Sequence, residues 1–157
     1  MKNEQLEEIY RRRSGDIYRM ACVYLKNHVD AEDAVTEVFL KYMAKMPRFE
    51  NEQHEKAWFF RVTINYCKDQ LKKKKWQADN LDGIEDLPGI SFTGEEKQVL
   101  EEVLALPVKL RQAVYMHYYL GYTIKEIGKI TATAETTIRA RLFKARKLLK
   151  DCLEDLD

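Results

Sequence analysis

Residues 123 to 150, TIKEIGKITATAETTIRARLFKARKLLK, carry two short amphipathic helical patterns joined by a tight turn. No other stretch narrows the fold so far. Thr123 followed three positions on by Glu126 is a capping-box pattern, and Ile124, Ile127 and Ile130 supply the apolar side of the helix it starts. Thr133 is placed to cap a second helix, in which Ile138, Leu142, Ala145 and Leu149 fall on one face. The other faces carry Thr136, Thr137, Arg139, Arg141, Lys144, Arg146 and Lys147, and the whole stretch holds eight Lys/Arg against two Glu. Cations so little mixed with acids form few intrahelical ion pairs and create a positive field suited to phosphates. A capped helix, a short turn and a basic helix together make a helix-turn-helix, which lays its second helix in a DNA major groove. The plain alternative is a solvated charged helix on an all-helical domain.

The net charge of +1 conceals a segregation along the chain. Residues 1 to 75 hold 16 Lys/Arg and 12 Asp/Glu, residues 76 to 103 hold 1 and 8, and residues 104 to 157 hold 10 and 6. Two basic blocks therefore flank an acidic connector. Residues 77 to 94, QADNLDGIEDLPGISFTG, interrupt helical periodicity with Gly83, Pro88, Gly89 and Gly94 and read as a flexible linker. Periodicity is helical on both sides, without a convincing strand pattern, so an all-α chain of two small helical domains is expected, 1–76 and 95–157, joined by the linker 77–94.

No uncharged apolar run is long enough to span a membrane, and MKNEQLEEIYRRR contains no apolar segment of a secretory signal. Cys22, Cys67 and Cys152 are odd in number and far apart, and His28, His54 and His117 lack metal-ligand spacing. Reduced thiols in a cytoplasmic protein without a metal or cofactor are the expectation. An enzyme is disfavoured by the lack of a phosphate-binding glycine loop, an HExxH pattern, or a nucleophile with a base partner.

In the first block Ile17, Met20, Ala21, Tyr24 and Leu25 mark an early helix. Asp30 is expected to cap the next one, which buries Ala31, Val35, Val38, Phe39, Tyr42 and Met46 and stops at Pro47. Its opposite face combines Asp33, Thr36, Glu37, Leu40 and Ala44, where acids beside an exposed leucine fit protein docking as well as solvent. A third helix, about Glu55 to Lys75, divides into an apolar stripe (Ala57, Phe60, Ile64, Cys67, Leu71) and a second stripe (Trp58, Arg61, Asn65, Lys68, Lys72). Aromatic stacking beside cations that track a backbone suits single-stranded nucleic acid. Trp58 fits a core position better, whereas Asn65 and the lysine run Lys72 to Lys75 fit the nucleic-acid reading. In the last block Glu95 to Ala105 reads as a helix, and Pro107 opens another that ends at Gly121.

Four segments in order, DAEDAVTEVFLKYM (30–43), FENEQHEKAWFFRVTINYCKDQLKKKK (49–75), ALPVKLRQAVYMHYYLGYTIKEIGKI (105–130) and TTIRARLFKARKLL (136–149), closely resemble the extracytoplasmic-function (ECF) sigma factors of bacterial RNA polymerase. The resemblance covers almost the whole chain. It implies a sigma region 2 helical bundle and a region 4 helix-turn-helix that together bind core RNA polymerase, recognise promoter DNA and open it. The helix of Asp30, Asp33, Glu37 and Leu40 would dock on the clamp helices of the largest subunit, and the polymerase flap is a further implied contact. Phe49, Asn51 and the loop to Glu55 would capture a flipped base of the minus-ten element, with Asn65, Arg61, Lys68 and Lys72 along the strand. Arg139, Phe143 and Lys144, with Thr136 and Thr137, match positions facing the minus-thirty-five element, and Arg141 and Arg146 suit phosphates. Arg139 is the first candidate for a bidentate contact to guanine. An anti-sigma factor is the implied regulator.

Three positions depart from the family pattern. Ala132 stands where the turn usually has glycine, so the backbone either avoids positive φ or accepts a cost of roughly 1 kcal/mol. Gly128 stands where alanine is common, and Ala140 replaces a frequent serine. The competing reading is a helix-turn-helix regulator that acts without polymerase, which leaves the 30–43 helix and the acidic connector without a role. A helical adaptor that binds only proteins would lack salt-sensitive DNA affinity.

Overall fold

The computed structural model describes residues 3–73 and 94–150, the latter from Val99 onward with side chains. These residues form helices and short connections, and the chain divides into two units, Met1–Gly89 and Ile90–Asp157. The connector from 77 to 93 lies outside the described residues, as do Lys74 and Lys75, and Gly94 begins a helix rather than ending a linker.

In the first unit α1 (Asn3–Leu25), α2 (His28–Lys45) and α3 (Glu52–Lys73) pack on one another in all three pairings. Their shared core is Ile17 from α1, Val35, Val38, Phe39 and Tyr42 from α2, and Phe59 from α3. The junction between α1 and α2 is tighter than the sequence implies. Lys26 turns the chain at positive φ, and Asn27, not Asp30, caps α2 by accepting the Asp30 N–H on its Oδ1 at 3.0 Å. Asp30 instead lies in the first turn, where its charge meets the positive end of the helix dipole. At the other end Met46 takes a left-handed conformation and donates its N–H to the Tyr42 carbonyl, which ends α2 at Lys45, two residues before Pro47. That geometry swings Met46 outward, so it is exposed and not part of the core.

α3 starts at Glu52, earlier than its apolar pattern, because Asn51 accepts the His54 N–H on Oδ1 at 2.8 Å and the Glu55 N–H on its carbonyl at 3.1 Å. Its buried face is Phe59, Phe60, Thr63, Ile64 and Cys67, while Ala57 and Leu71 at the margins are half-buried. Thr63 is tolerated inside because its hydroxyl donates to the Phe59 carbonyl at 2.6 Å.

The second unit begins with α4 (Gly94–Leu104) and α5 (Val108–Val114), the latter extended by a wider turn through Tyr115–Tyr119. The buried Arg111 guanidinium joins them, donating to the carbonyls of Leu104 at 3.3 Å and Leu106 at 2.9 Å at the open end of α4. Gly121, at φ +77°, closes α5 while the Tyr122 N–H reaches back to the Met116 carbonyl. Then come α6 (Ile124–Thr131) and α7 (Glu135–Leu148). The capping box at Thr123 and Glu126 forms with both reciprocal hydrogen bonds, 2.9 and 3.1 Å.

The α6–α7 turn resolves the two departures at 128 and 132 together. Ala132 does adopt the left-handed conformation, at φ 53°, so the turn accepts that cost. Its N–H and that of Thr133 both reach the Gly128 carbonyl, which draws the backbone so close that a Cβ at 128 would lie 2.8 Å from the Thr133 carbonyl oxygen. Glycine is thus needed at 128 by contact and dispensed with at 132. Thr133 does not cap α7, because its hydroxyl donates to the Thr131 carbonyl at 3.1 Å, and Ala134 occupies the cap position with no side-chain bond.

Candidate nucleic-acid interface

Beginning at the loop between α2 and α3, Phe49 is half-buried and packs its ring on the core. It stacks on Tyr42 with centroids 6.3 Å apart and planes 13° from parallel, and meets Trp58 at 5.8 Å and His54 at 5.4 Å. The Phe49 ring therefore anchors the loop from beneath. Glu50, Asn51, Glu52, Gln53 and His54 beside it are exposed. Asn51 has its oxygen engaged as the α3 cap, and the Glu50 N–H donates to His54 Nδ1 at 3.1 Å.

Along α3, Arg61, Asn65, Lys68 and Lys72 are all exposed at spacings that keep them on one face. Trp58 heads the same row and is divided between the two readings: half-buried, with its ring edge on Phe59 at 5.0 Å and on Tyr42 at 6.0 Å. A strip of cations and one amide follows an aromatic ledge, a chemistry that fits a single strand.

The outer face of α2 is more apolar than Leu40 alone indicates. Val29, Leu40 and Met43 are 53%, 50% and 40% exposed, and with Thr36 they recur at helical spacing. Asp33 and Glu37 are exposed beside them and Asp30 is half-exposed. The acids border α3, where burial first, and then the charges of Glu37, Asp33 and Asp30, push the Tyr66 hydroxyl above its usual value. Val29 and Met43 were missed in the sequence because α2 carries two apolar stripes and the stronger one faces the core.

In the second unit α7 turns Ile138, Leu142 and Ala145 inward, with Leu149 just beyond its end. Thr136, Arg139, Phe143, Lys144 and Arg146 are exposed, and Thr137 and Arg141 are half-exposed. Phe143 is 59% exposed with the Lys147 ammonium 4.8 Å from its ring centre. Arg146 is tied down: its Nε donates to the Tyr118 hydroxyl at 2.5 Å and its guanidinium sits 5.7 Å from that ring. Arg146 therefore also braces α7 on the wide turn after α5.

An ionic cluster escaped the sequence reading entirely. Glu55, in the first turn of α3, receives Arg13 Nε at 2.8 Å and a fork from Arg12, Nε at 3.0 Å and Nη2 at 3.1 Å. Burial, the largest single influence, pushes the Glu55 carboxyl up, but the hydrogen bonds and charges of Arg12 and Arg13 together hold it below its ordinary value. Its partners lie more than forty residues away, so no local pattern reveals it.

Among the described residues no group of three or more His, Cys, Asp or Glu could hold a metal ion, and no helix is long and apolar enough to cross a membrane. Cys22 and Cys67 are buried, and burial pushes the Cys22 thiol up to about 12 and Cys67 higher still. Both remain protonated and unreactive. Cys152 lies outside the described residues.

The Sigma-70 region 2 family matches residues 9–77, and Sigma-70, region 4 matches residues 96–149. RNA polymerase sigma factor SigV of Bacillus subtilis is 28% identical over 86% of this chain and 82% of its own length. The ECF RNA polymerase sigma factor SigM of the same organism is 28% identical over 92% of this chain and 93% of its own. The sigma factor RpoE of Bartonella quintana, solved in complex with the anti-sigma factor NepR, has the same fold, with a TM-score of 0.70 over 96% of this chain and 98% of that one at 21% identity. With both regions matched in order, each over one of the two helical units, the chain belongs to the sigma-70 family of RNA polymerase sigma factors, in its ECF group.

Proposed function

We propose that this chain binds core RNA polymerase and directs it to promoters, with the first unit docking on the enzyme and holding the opened minus-ten strand while the second reads duplex minus-thirty-five DNA. The observation that carries the division of labour is the contrast between the two basic faces. That of α3 runs as a narrow row of Arg61, Asn65, Lys68 and Lys72 next to an aromatic ledge, and that of α7 is one exposed side of a helix set in a helix-turn-helix. A single strand offers base faces for stacking, and a duplex offers a groove the width of a helix.

On this reading the α2 stripe of Val29, Leu40 and Met43, with Asp30, Asp33 and Glu37 at its margin, meets a polymerase surface of apolar and basic character. Asn51 and Asn65 hydrogen-bond strand bases, with Phe49 supporting the loop. Opening DNA unstacks bases at a few kcal/mol per step, and the captured strand must return that energy through such contacts. Arg139 contacts base edges, helped by Thr136, Thr137, Phe143 and Lys144. Arg141 and Arg146 sit nearer phosphates. Residues 77–93 join the domains 1–76 and 94–157 as an acidic connector passing through the basic RNA channel of the enzyme. The protein works in the cytoplasm and is restrained by an anti-sigma factor covering both units. A regulator acting without polymerase gives the α2 stripe nothing to do.

Run-off transcription with core polymerase over a promoter library tests the proposal. Discrete start sites that depend on the chain are expected. Transcripts identical with and without it would refute the assignment.

A further inference from the structure

We infer that Arg12 and Arg13 are positioning residues for strand capture, acting through Glu55 to fix the loop and first turn that carry the strand-facing groups. The inference rests on the reading of that loop given above and adds what holds it in place.

The loop has two anchored ends. Upstream, Met46 closes α2 on the Tyr42 carbonyl. Downstream, Glu55 is held by both arginines, and Arg13 Nη2 also reaches the Glu52 carbonyl at 3.4 Å and Glu52 Oε1 at 3.5 Å. Arg13 is 3% exposed. Its Nη1 donates to Asp16 Oδ2 at 3.2 Å, and Asp16 Oδ1 accepts from Arg19 at 3.1 Å. The Arg12 fork on Glu55 and the Arg13 bonds to Glu55 and Glu52, both from α1, thereby set the rotation of the α3 first turn, and with it the Asn51 cap and the direction in which the Arg61 and Asn65 face points.

Stability alone explains this cluster poorly, since a buried ion network commonly contributes no more than well-packed apolar groups of the same volume. Bidentate geometry is what arginine adds that apolar packing does not. Charge sorting points the same way. Arg12, Arg13 and Arg19 are matched by Glu8, Asp16, Glu52 and Glu55, so these cations are engaged within the protein rather than offered to phosphates.

The test uses holoenzyme assembled from core polymerase and the full chain. Its probe is a fluorescent non-template oligonucleotide selected by wild-type holoenzyme from a randomised single-strand pool. Glu55→Gln makes the protein more positive, so a purely electrostatic role predicts tighter binding. Positioning predicts weaker binding by about tenfold, the size expected when a preordered segment must be ordered on binding. The slope of affinity against salt should stay at the wild-type value, whereas Lys72→Ala should reduce it by about 0.7 as one phosphate contact is lost. Arg12→Gln, at a position whose side chain is 34% exposed, leaves the Arg13–Glu55 pair in place and should weaken binding by roughly threefold. It decides the matter if Glu55→Gln does not fold. Equal or tighter binding by the variants, or a salt slope reduced as in Lys72→Ala, overturns the inference alone. A wild-type holoenzyme that selects no strand overturns the functional reading and this inference with it.

Discussion

The first unit holds the loop between α2 and α3 by contacts between residues distant in sequence, whereas the second builds its basic helix from signals within a few residues of where they act. In the first, Phe49 rests on Tyr42, Trp58 and Phe59, and Glu55 is gripped by Arg12 and Arg13. In the second, Thr123 and Glu126 cap α6, Gly128 and Ala132 make the turn, and Ile127, Ile138 and Leu142 fill the space behind α7. On the proposed function, the difference follows from the ligand. A duplex groove has a fixed shape that a preset helix can enter, but an unpaired strand has to be held in shape by the surface that receives it.

The comparison is broken most forcefully through the cores. Phe59 is fully buried where the aromatic rings meet, so Phe59→Ala should cost the first unit about 3–5 kcal/mol. Thermal unfolding followed by circular dichroism should then separate into two transitions, the second unit melting where it does in the wild type. One joint transition shifted as a whole would show that the units do not fold independently.

In the second unit the turn gives paired tests of opposite sign. Gly128→Ala drives a Cβ to 2.8 Å from a backbone oxygen and should destabilise by about 1–3 kcal/mol. Ala132→Gly relieves a left-handed alanine and should stabilise by about 1 kcal/mol. Melting temperatures of the two variants check the signs, and a stabilising Gly128→Ala would contradict the turn geometry.

On DNA, Arg139→Ala should lose about 1–3 kcal/mol of discrimination at one base pair, whereas Lys144→Ala should weaken all sequences more evenly. Binding to a panel of single-base duplex variants distinguishes them. Uniform loss with Arg139→Ala would move it to the phosphates.

The smallest effect is the pH dependence of the Glu55 cluster. Its carboxyl is depressed in the fold, so its contribution is complete above the pH at which it titrates in the unfolded chain and disappears as pH falls through the lower folded value. The gap in melting temperature between wild type and Glu55→Gln should therefore close on acidification. A gap constant across that window would show that the charge is not what Arg12 and Arg13 hold.

The same contrast decides what was legible beforehand. Ile127, Ile130, Ile138 and Leu142 repeat at helical spacing and Thr123 with Glu126 is a local signal, so the second unit was readable nearly residue by residue. Thr133 failed as a cap because that hydroxyl had a closer carbonyl at Thr131. In the first unit the three helices and most core positions were readable from periodicity. Asn27 displaced Asp30 as cap, Met46 turned outward at a left-handed residue, and Phe59 and Thr63 joined the core because α3 meets both α1 and α2. The Arg12–Arg13–Glu55 cluster joins positions that no periodicity links. The exposed row at Arg61, Asn65, Lys68 and Lys72 was readable from its spacing, but not the support beneath the loop beside it.

The most direct test of the division of labour is thymine reactivity to permanganate in the minus-ten region, measured with protection of minus-thirty-five DNA on one selected promoter. With core polymerase and the wild-type chain, reactivity and protection should both be present. Asn65→Ala should retain the upstream protection while losing most of the reactivity, and Arg139→Ala should lose protection first. If both variants reduce the two signals in equal proportion, the two units do not divide strand capture and duplex reading between them.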